Sequence, residues 1–187
     1  QLSKHLVYLD PDQRALKLMA HTYLGQSLSA LKLGEESDYT LVSQRAYEKW
    51  RVASNYITYS LLEEAFARRL SVAHGTTSTS SHTKELLNAL KKSGYSLTLL
   101  VCFAEDTFRE TAIDYRNNHQ KFYQSTPEDA HLKKQAFLQS LEAYFQEADE
   151  LFFFWSDDLF NKERLAAKLS KTGFDVFDTE ALNLIIY

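Results

Sequence analysis

The apolar run between Ser96 and Phe103 constrains the fold of this chain most strongly. Leucine, valine and phenylalanine nearly fill it, without the alternating polar residues of a strand that has one solvated face. Such a run fits a parallel strand that is covered on both faces. Helical patterns flank it, from about 83 to 92 and from about 106 to 117. The sequence therefore predicts an α/β fold in which helices cover a parallel sheet.

The rest of the chain continues this alternation. Apolar runs predict further strands over His5–Leu9, Leu70–Ala73 and Leu151–Trp155. Helical spacing or capping residues predict helices over Tyr39–Arg69, Thr126–Glu147, Lys162–Lys171 and Thr179–Ile186. Gly94 is expected to end the helix that precedes it, and Pro127 to occupy the first position of the next long one. We expect three layers, with helices on both faces of one parallel sheet.

Composition limits the class of protein. The 187 residues predict one domain, and 44% hydrophobic with 25% charged residues is typical of a soluble globular protein. A net charge of -4 argues against nucleic acid as a partner, and no apolar stretch is long enough to span a membrane. The only cysteine, Cys102, lies in the central apolar run and is expected to be a buried core thiol.

Polar residues follow the first two predicted strands. Asp10, Asp12 and Arg14 come after the first strand, and the His74-Gly75-Thr76 corner comes after the second. Ligands of α/β proteins bind outside the carboxyl ends of parallel strands. An Asp-x-Asp placed there suits metal coordination or removal of a proton from a hydroxyl, although an aspartate after a strand also serves as a turn or helix-cap residue.

Two arginines add a second element of the predicted site. Arg109 and Arg116 are seven residues apart on one predicted helix and so share roughly one face. Guanidinium groups suit a developing phosphate charge, and together with the acid they predict phosphoryl transfer. A solvated helix face paired with nearby acids is the other interpretation. The chain contains no G-x-x-x-x-G-K-[ST] loop, which would hold a triphosphate.

The order of these pieces resembles the zeta toxin family of P-loop kinases, with chloramphenicol phosphotransferases as more distant relatives. The resemblance covers roughly residues 5 to 155 and is carried by the following segments: Val7-Tyr8-Leu9-Asp10-Pro11-Asp12-Gln13-Arg14, the long helix containing Ser54-Asn55-Tyr56-Ile57-Thr58, Val72-Ala73-His74-Gly75-Thr76, Lys92-Ser93-Gly94-Tyr95 and Ser125-Thr126-Pro127-Glu128-Asp129-Ala130-His131. It implies that residues 1–187 form a kinase domain whose opening strand and phosphate loop precede Gln1.

The resemblance also implies an activity and a set of site residues. Such enzymes use ATP and magnesium, held through the phosphates, to phosphorylate a hydroxyl of a UDP-linked amino sugar. Asp12 matches the general base, and Arg116 matches an arginine that clamps the phosphates. Arg109 and Lys121 are the other expected nucleotide-binding residues. The expected substrate-binding residues are Asp10, Arg14, Tyr59, His74, Gly75 and Thr76.

Three functions remain open at this point. His74 stands where the family has a substrate-binding glutamate, Tyr59 stands near the place of another acid, and Gln124 stands near the place of a second arginine. These residues suggest either that the kinase phosphorylates a different acceptor or that the chain is a catalytically degenerate binding module. A nucleotidyltransferase or other phosphate-handling transferase on the same scaffold is the third hypothesis. The expected partners are a small-molecule phosphate acceptor and an antitoxin or other protein. The expected location is bacterial cytoplasm or, after secretion, a host cell.

Overall fold

A computed structural model describes residues 6–25, 36–77, 83–119, 125–157 and 163–186. The helices and strands in chain order are β1 (Val7–Leu9), α1 (Pro11–Gly25), α2 (Glu36–Ala67), β2 (Val72–His74), α3 (Thr83–Lys92), β3 (Thr98–Ala104), α4 (Asp106–His119), α5 (Pro127–Glu147), β4 (Glu150–Ser156), β5 (Arg164–Ser170), β6 (Gly173–Val176) and α6 (Thr179–Ile186). The predicted α/β class is confirmed. None of the helices in these ranges is both long and apolar enough to cross a bilayer.

The described residues fall into two compact units. The first draws on residues 1–76 and 115–125, and the second draws on residues 77–114 and 126–187. Each unit has its own sheet: β1 and β2 in the first, and β3, β4, β5 and β6 in the second. The single-domain assignment stays a prediction.

The first unit combines a short parallel sheet with two packed helices. β1 and β2 pair in register from Val7 opposite Val72 to Leu9 opposite His74. α1 packs on α2 through a core of Ala15, Met19, Ala46 and Tyr47, with Leu16 and Trp50 against it. Because Ala15 and Ala46 have small side chains, the two helices approach closely beside the end of β1.

The second unit is built on a mixed sheet in the order β3-β4-β5-β6. β3 and β4 run parallel, as predicted, with Leu99 opposite Leu151 and Val101 opposite Phe153. Side chains alternate along β4, so every second residue enters the core. Tyr144 and Ala148, at the end of α5, pack in that core against Leu151 and Phe153.

The predictions for two parts of the second unit are wrong. Residues 164–170 form strand β5 rather than a helix, and β5 pairs antiparallel with both β4 and β6. A purely parallel sheet is therefore also wrong for this unit. Cys102 is exposed on β3 rather than buried, because its side chain lies on the opposite face of the strand from Val101.

Candidate functional site

The candidate site lies in the first unit, where β1 ends and α1 begins. Asp10 is the N-cap of α1: its Oδ1 accepts hydrogen bonds from the backbone amides of Asp12 at 2.9 Å and Gln13 at 3.4 Å. Pro11 occupies the first helical position, where its missing N–H costs nothing. The Asp-Pro-Asp sequence therefore builds a sharp strand-to-helix junction and places Asp12 in the first turn of α1.

Asp12 is held by α2 as well as by its own helix. The hydroxyl of Tyr47 donates a hydrogen bond to Asp12 Oδ1 at 3.0 Å. Ser54, seven residues further along α2 and so on the same face, donates its hydroxyl hydrogen to the carbonyl of Pro11. Both α2 side chains are buried, at 3% exposure for Tyr47 and 1% for Ser54. Ser54 thus anchors the backbone at the start of α1, and Tyr47 restrains the Asp12 carboxylate itself.

The Tyr47 phenol lies in a charged environment. Burial raises the pKa of Tyr47 well above its usual range, and Asp12 raises it further, against the opposing effects of Arg51 and Arg116. The Arg51 guanidinium carbon lies 5.8 Å from the centre of the tyrosine ring. Since the phenol keeps its proton at any physiological pH, Tyr47 serves Asp12 as a permanent hydrogen-bond donor.

Arg116 belongs to the last turns of α4, which are part of the first unit. Burial lowers the pKa of its guanidinium from the ordinary value, while Asp12 and Tyr47 raise it. The Nε atom of Arg116 is buried and has no hydrogen-bond partner in the described part of the chain. The first unit therefore holds both the Asp12 carboxylate and a partly buried guanidinium whose pKa that carboxylate raises.

The ends of β1 and β2 form a second group of predicted site residues. The Gly75 amide donates to the Leu9 carbonyl at 2.9 Å, and His74 Nδ1 lies 3.2 Å from the same oxygen. Because a carbonyl only accepts, Nδ1 carries the hydrogen in this contact. The rings of His74 and Tyr59 are 6.2 Å apart at an angle of 57°.

Gly75 also lies against Asp10. A Cβ on Gly75 would come within 3.2 Å of the Asp10 carboxyl and of the Tyr8 hydroxyl, so glycine allows this close approach. Tyr8 donates its hydroxyl hydrogen to Asp10 Oδ2 at 3.0 Å, and this bond raises the pKa of the tyrosine. Asp10 is therefore occupied on both oxygens, by the α1 amides and by Tyr8.

The remaining predicted site residues are more scattered. Arg14 lies one turn along α1, where its backbone amide donates to the Asp10 carbonyl, and Thr76 is exposed beyond β2. Arg109 belongs to the second unit, where its guanidinium binds Asp106 at 2.8 Å. Lys121 and Gln124 lie outside the described residues.

Two further observations concern metals and known proteins. Across residues 6–25, 36–77, 83–119, 125–157 and 163–186, no group of three or more histidine, cysteine or carboxylate side chains is arranged to hold a metal ion.

Comparisons with family models, curated proteins and solved structures gave no match to this chain.

Three residues of the site were not predicted as site residues from the sequence: Tyr47, Arg51 and Ser54. The signal that could have found them is their spacing. Residues 47, 51 and 54 follow the i, i+4, i+7 periodicity of one helix face, and 47 and 54 precede the buried Thr58 on that face. Polar residues in the stripe that faces a neighbouring helix are candidates for hydrogen bonds to that helix.

Proposed function

We propose that this chain belongs to an ATP-dependent phosphotransferase similar to the zeta toxin kinases, which phosphorylates a hydroxyl of a small molecule such as a nucleotide sugar. One observation carries the proposal: Asp12, in the first turn of the helix that follows a parallel strand, accepts a hydrogen bond from the buried hydroxyl of Tyr47. Arg116 belongs to the same compact unit, and Asp12 raises the pKa of its guanidinium. Phosphoryl transfer needs a positioned hydroxyl and a neutralised phosphate charge, and these are the tasks that such a carboxylate and guanidinium perform.

In this proposal the residues have separate tasks. Asp12 Oδ1 is engaged by Tyr47, and Oδ2 takes the proton of the acceptor hydroxyl as the new O–P bond forms and the bond to the leaving ADP breaks. Arg116 neutralises the charge on the oxygens of the transferring phosphoryl group. ATP would supply that group, and magnesium held through the phosphates would add positive charge.

The finer fold is part of the same proposal. A P-loop kinase sheet contains a parallel strand that leads into the phosphate loop. β1 and β2 are parallel, and within the described residues β2 pairs with β1 alone. We assign the edge of β2 that faces away from β1 to pairing with a strand that leads into a phosphate loop. The parallel direction of β1 and β2 and the polar residues at their shared end support this assignment.

The Asp12→Ala variant tests the proposed base. In the full-length protein, with MgATP and a UDP-linked amino sugar as the acceptor, ADP release should fall about 100- to 10,000-fold, as expected for the loss of a general base. The affinity for MgATP, measured by calorimetry, should stay within about 2-fold, because Arg116 is retained. The Asp114→Ala variant, which removes an exposed carboxylate of α4, is the control and should behave like the wild type. Unchanged ADP release in Asp12→Ala would contradict the assignment.

A catalytically degenerate binding module is the second candidate. It is favoured by the His74 corner, where an imidazole and the Tyr59 phenol stand in place of two acids and where the histidine is hydrogen-bonded to the Leu9 carbonyl. Calorimetry of MgATP with the full-length wild-type protein separates the two functions. A measurable binding heat supports the kinase, and its absence supports the degenerate module.

A further inference from the structure

The start of α1 is anchored more completely than a surface helix terminus requires. Asp10 binds the backbone amide of Asp12, Ser54 binds the carbonyl of Pro11, and Tyr47 binds the carboxylate of Asp12 itself. The first two contacts hold the backbone, and only the third acts on the side chain. The direction in which Asp12 points therefore depends on Tyr47.

The Tyr47 side chain is itself held rigidly. It is 3% exposed and packs in the core with Ala15, Met19 and Ala46. Since its ring cannot change rotamer without opening the α1–α2 interface, its hydroxyl stays at one position relative to α1. A carboxylate bound to this hydroxyl loses the freedom to rotate about its own side-chain bonds.

A neutral donor at this position has a chemical advantage over a cation. A lysine or arginine bound directly to Asp12 would stabilise the carboxylate strongly and so weaken it as a proton acceptor. The phenol, which keeps its proton because burial and Asp12 both raise its pKa, orients the carboxylate with a smaller electrostatic effect. Arg116 is then left to interact with the phosphate.

We infer that Tyr47 is a positioning residue that fixes one oxygen of Asp12 and thereby directs the other at the acceptor hydroxyl. This inference rests on the proposed phosphotransferase function. It adds a residue of α2 to the site, and that residue acts through Asp12 rather than by touching the substrate.

The Tyr47→Phe variant tests the inference, because phenylalanine keeps the buried ring and removes only the hydroxyl. In the full-length protein, kcat for ADP release with the same amino sugar should fall about 10- to 100-fold, as expected when a catalytic group is misplaced by a fraction of an ångström to an ångström. The KM for MgATP should stay within about 2-fold. Tyr56→Phe removes a hydroxyl from the same helix at a side chain that is 74% exposed, and it should leave both constants unchanged.

A double-mutant cycle separates positioning from a general structural effect. In the Asp12→Ala background the Tyr47→Phe change should have no further effect on kcat, because the carboxylate that the hydroxyl orients is already gone. Ser54→Ala serves as a second variant should Tyr47→Phe fail to fold, and it should lower kcat by a smaller factor because it loosens only the backbone anchor.

Each outcome has one meaning. Full kcat in Tyr47→Phe, with an active wild type and an inactive Asp12→Ala variant, overturns the role of Tyr47 and leaves the proposed function standing. An equal loss from Tyr47→Phe in the presence and absence of Asp12 also overturns it. A wild-type protein that releases no ADP and gives no binding heat with MgATP overturns the proposed function and the inference with it.

Discussion

Asp149 connects three parts of the second unit through one carboxylate. It accepts hydrogen bonds from Lys91 at 2.5 Å and from the Leu97 amide at 2.8 Å, and Lys171 lies 2.9 Å from it. The hydrogen bond from Lys91 is the largest of the effects that lower the pKa of Asp149 far below its usual range, followed by those from Leu97 and Lys171. This aspartate therefore holds the entry into β3 and β4 most strongly while it is ionised.

The stability of the second unit should accordingly depend on pH. Because the pKa of Asp149 is lower in the folded than in the unfolded chain, its contribution is present above about pH 5 and is lost progressively as the pH falls below that value. Asp149→Asn should lower the midpoint of urea denaturation at pH 7. Between about pH 5 and pH 2, the midpoint of this variant should also decrease less than that of the wild type. The exposed Asp114→Asn is the control. Parallel pH curves for the wild type and Asp149→Asn would contradict this account.

Thr58 provides a second test at the level of single residues. Its side chain is fully buried in α2, and its Oγ1 has no hydrogen-bond partner in the described part of the chain. Thr58→Val has nearly the same shape and removes the unpaired hydroxyl, so the free energy of unfolding should stay the same or rise by about 1 kcal/mol.

The neighbouring Ser54→Ala is the contrast for Thr58→Val. It removes a formed hydrogen bond to Pro11 and should lower the free energy of unfolding by about 1 kcal/mol. Urea denaturation of both variants measures the difference. A greater loss of stability in Thr58→Val than in Ser54→Ala would show that the Thr58 hydroxyl has a partner.

At the scale of helices and strands, two helix ends use the same turn with different residues. In the turn that follows α3, Gly94 has a φ of +83°, and the Tyr95 amide donates a hydrogen bond to the Leu90 carbonyl. In the turn that follows α2, Arg69 has a φ of +58°, and the Leu70 amide donates a hydrogen bond to the Ala65 carbonyl. Both are Schellman turns, which require a left-handed residue directly after the helix. The prediction that Gly94 ends its helix is confirmed, whereas nothing in the sequence marks Arg69.

These two ends should respond oppositely to substitution. Gly94→Ala places a Cβ in open space, so its cost is only the left-handed backbone, about 1–2 kcal/mol. Arg69→Gly removes the same backbone strain and should raise the free energy of unfolding by about 0.5–1 kcal/mol. The gain is smaller than the strain itself because glycine also adds conformational freedom to the unfolded chain. Arg69→Ala keeps the strain and is the control for the side chain. An equal gain from Arg69→Gly and Arg69→Ala in urea denaturation would exclude the backbone explanation.

Strand β5 shows why local sequence patterns fail for some elements. Its residues, Arg164 to Ser170, are mostly good helix formers. Ala166 and Ala167 are nevertheless fully buried, and Lys168 pairs with Glu150 of β4 while covering the Phe152 ring. The strand is imposed by pairing with its two neighbours, and this tertiary effect outweighs the local preference.

For the long helix α2, the sequence predicts the helix correctly but does not predict all the residues of its buried face. Helical spacing joins Ala46, Trp50, Ala53, Ile57, Leu61 and Ala65 into one apolar stripe. Ala46 and Ala65 are buried, yet Leu61 is 38% exposed and its neighbour Leu62 is 4% exposed. The buried face includes Tyr47, Ser54 and Thr58, which a count of apolar residues leaves out. The Asp12 position could be predicted from the sequence. The spacing of residues 47, 51 and 54 marks Tyr47 as a residue of one helix face, but its pairing with Asp12 spans 35 residues and has no local signature.

At the scale of the whole molecule, the alternation of strands and helices is sufficient to assign the α/β class. The parallel pairs β1–β2 and β3–β4 follow from strands separated by helices. The antiparallel strands β5 and β6 and the division into two compact units depend on long-range packing, which has no local signature. Asp12 and Arg116 come from distant parts of the sequence, yet both belong to the first unit.

The central claim is that the Asp12 carboxylate accepts the proton of a hydroxyl during phosphoryl transfer. The most direct test is ³¹P NMR of the full-length protein with MgATP and a UDP-linked amino sugar, for the wild type and for Asp12→Asn, which keeps the size of the side chain and its acceptor for Tyr47. The account predicts a new phosphomonoester resonance with the wild type and none on the same timescale with Asp12→Asn. A phosphomonoester that forms at the same rate with both proteins would contradict it.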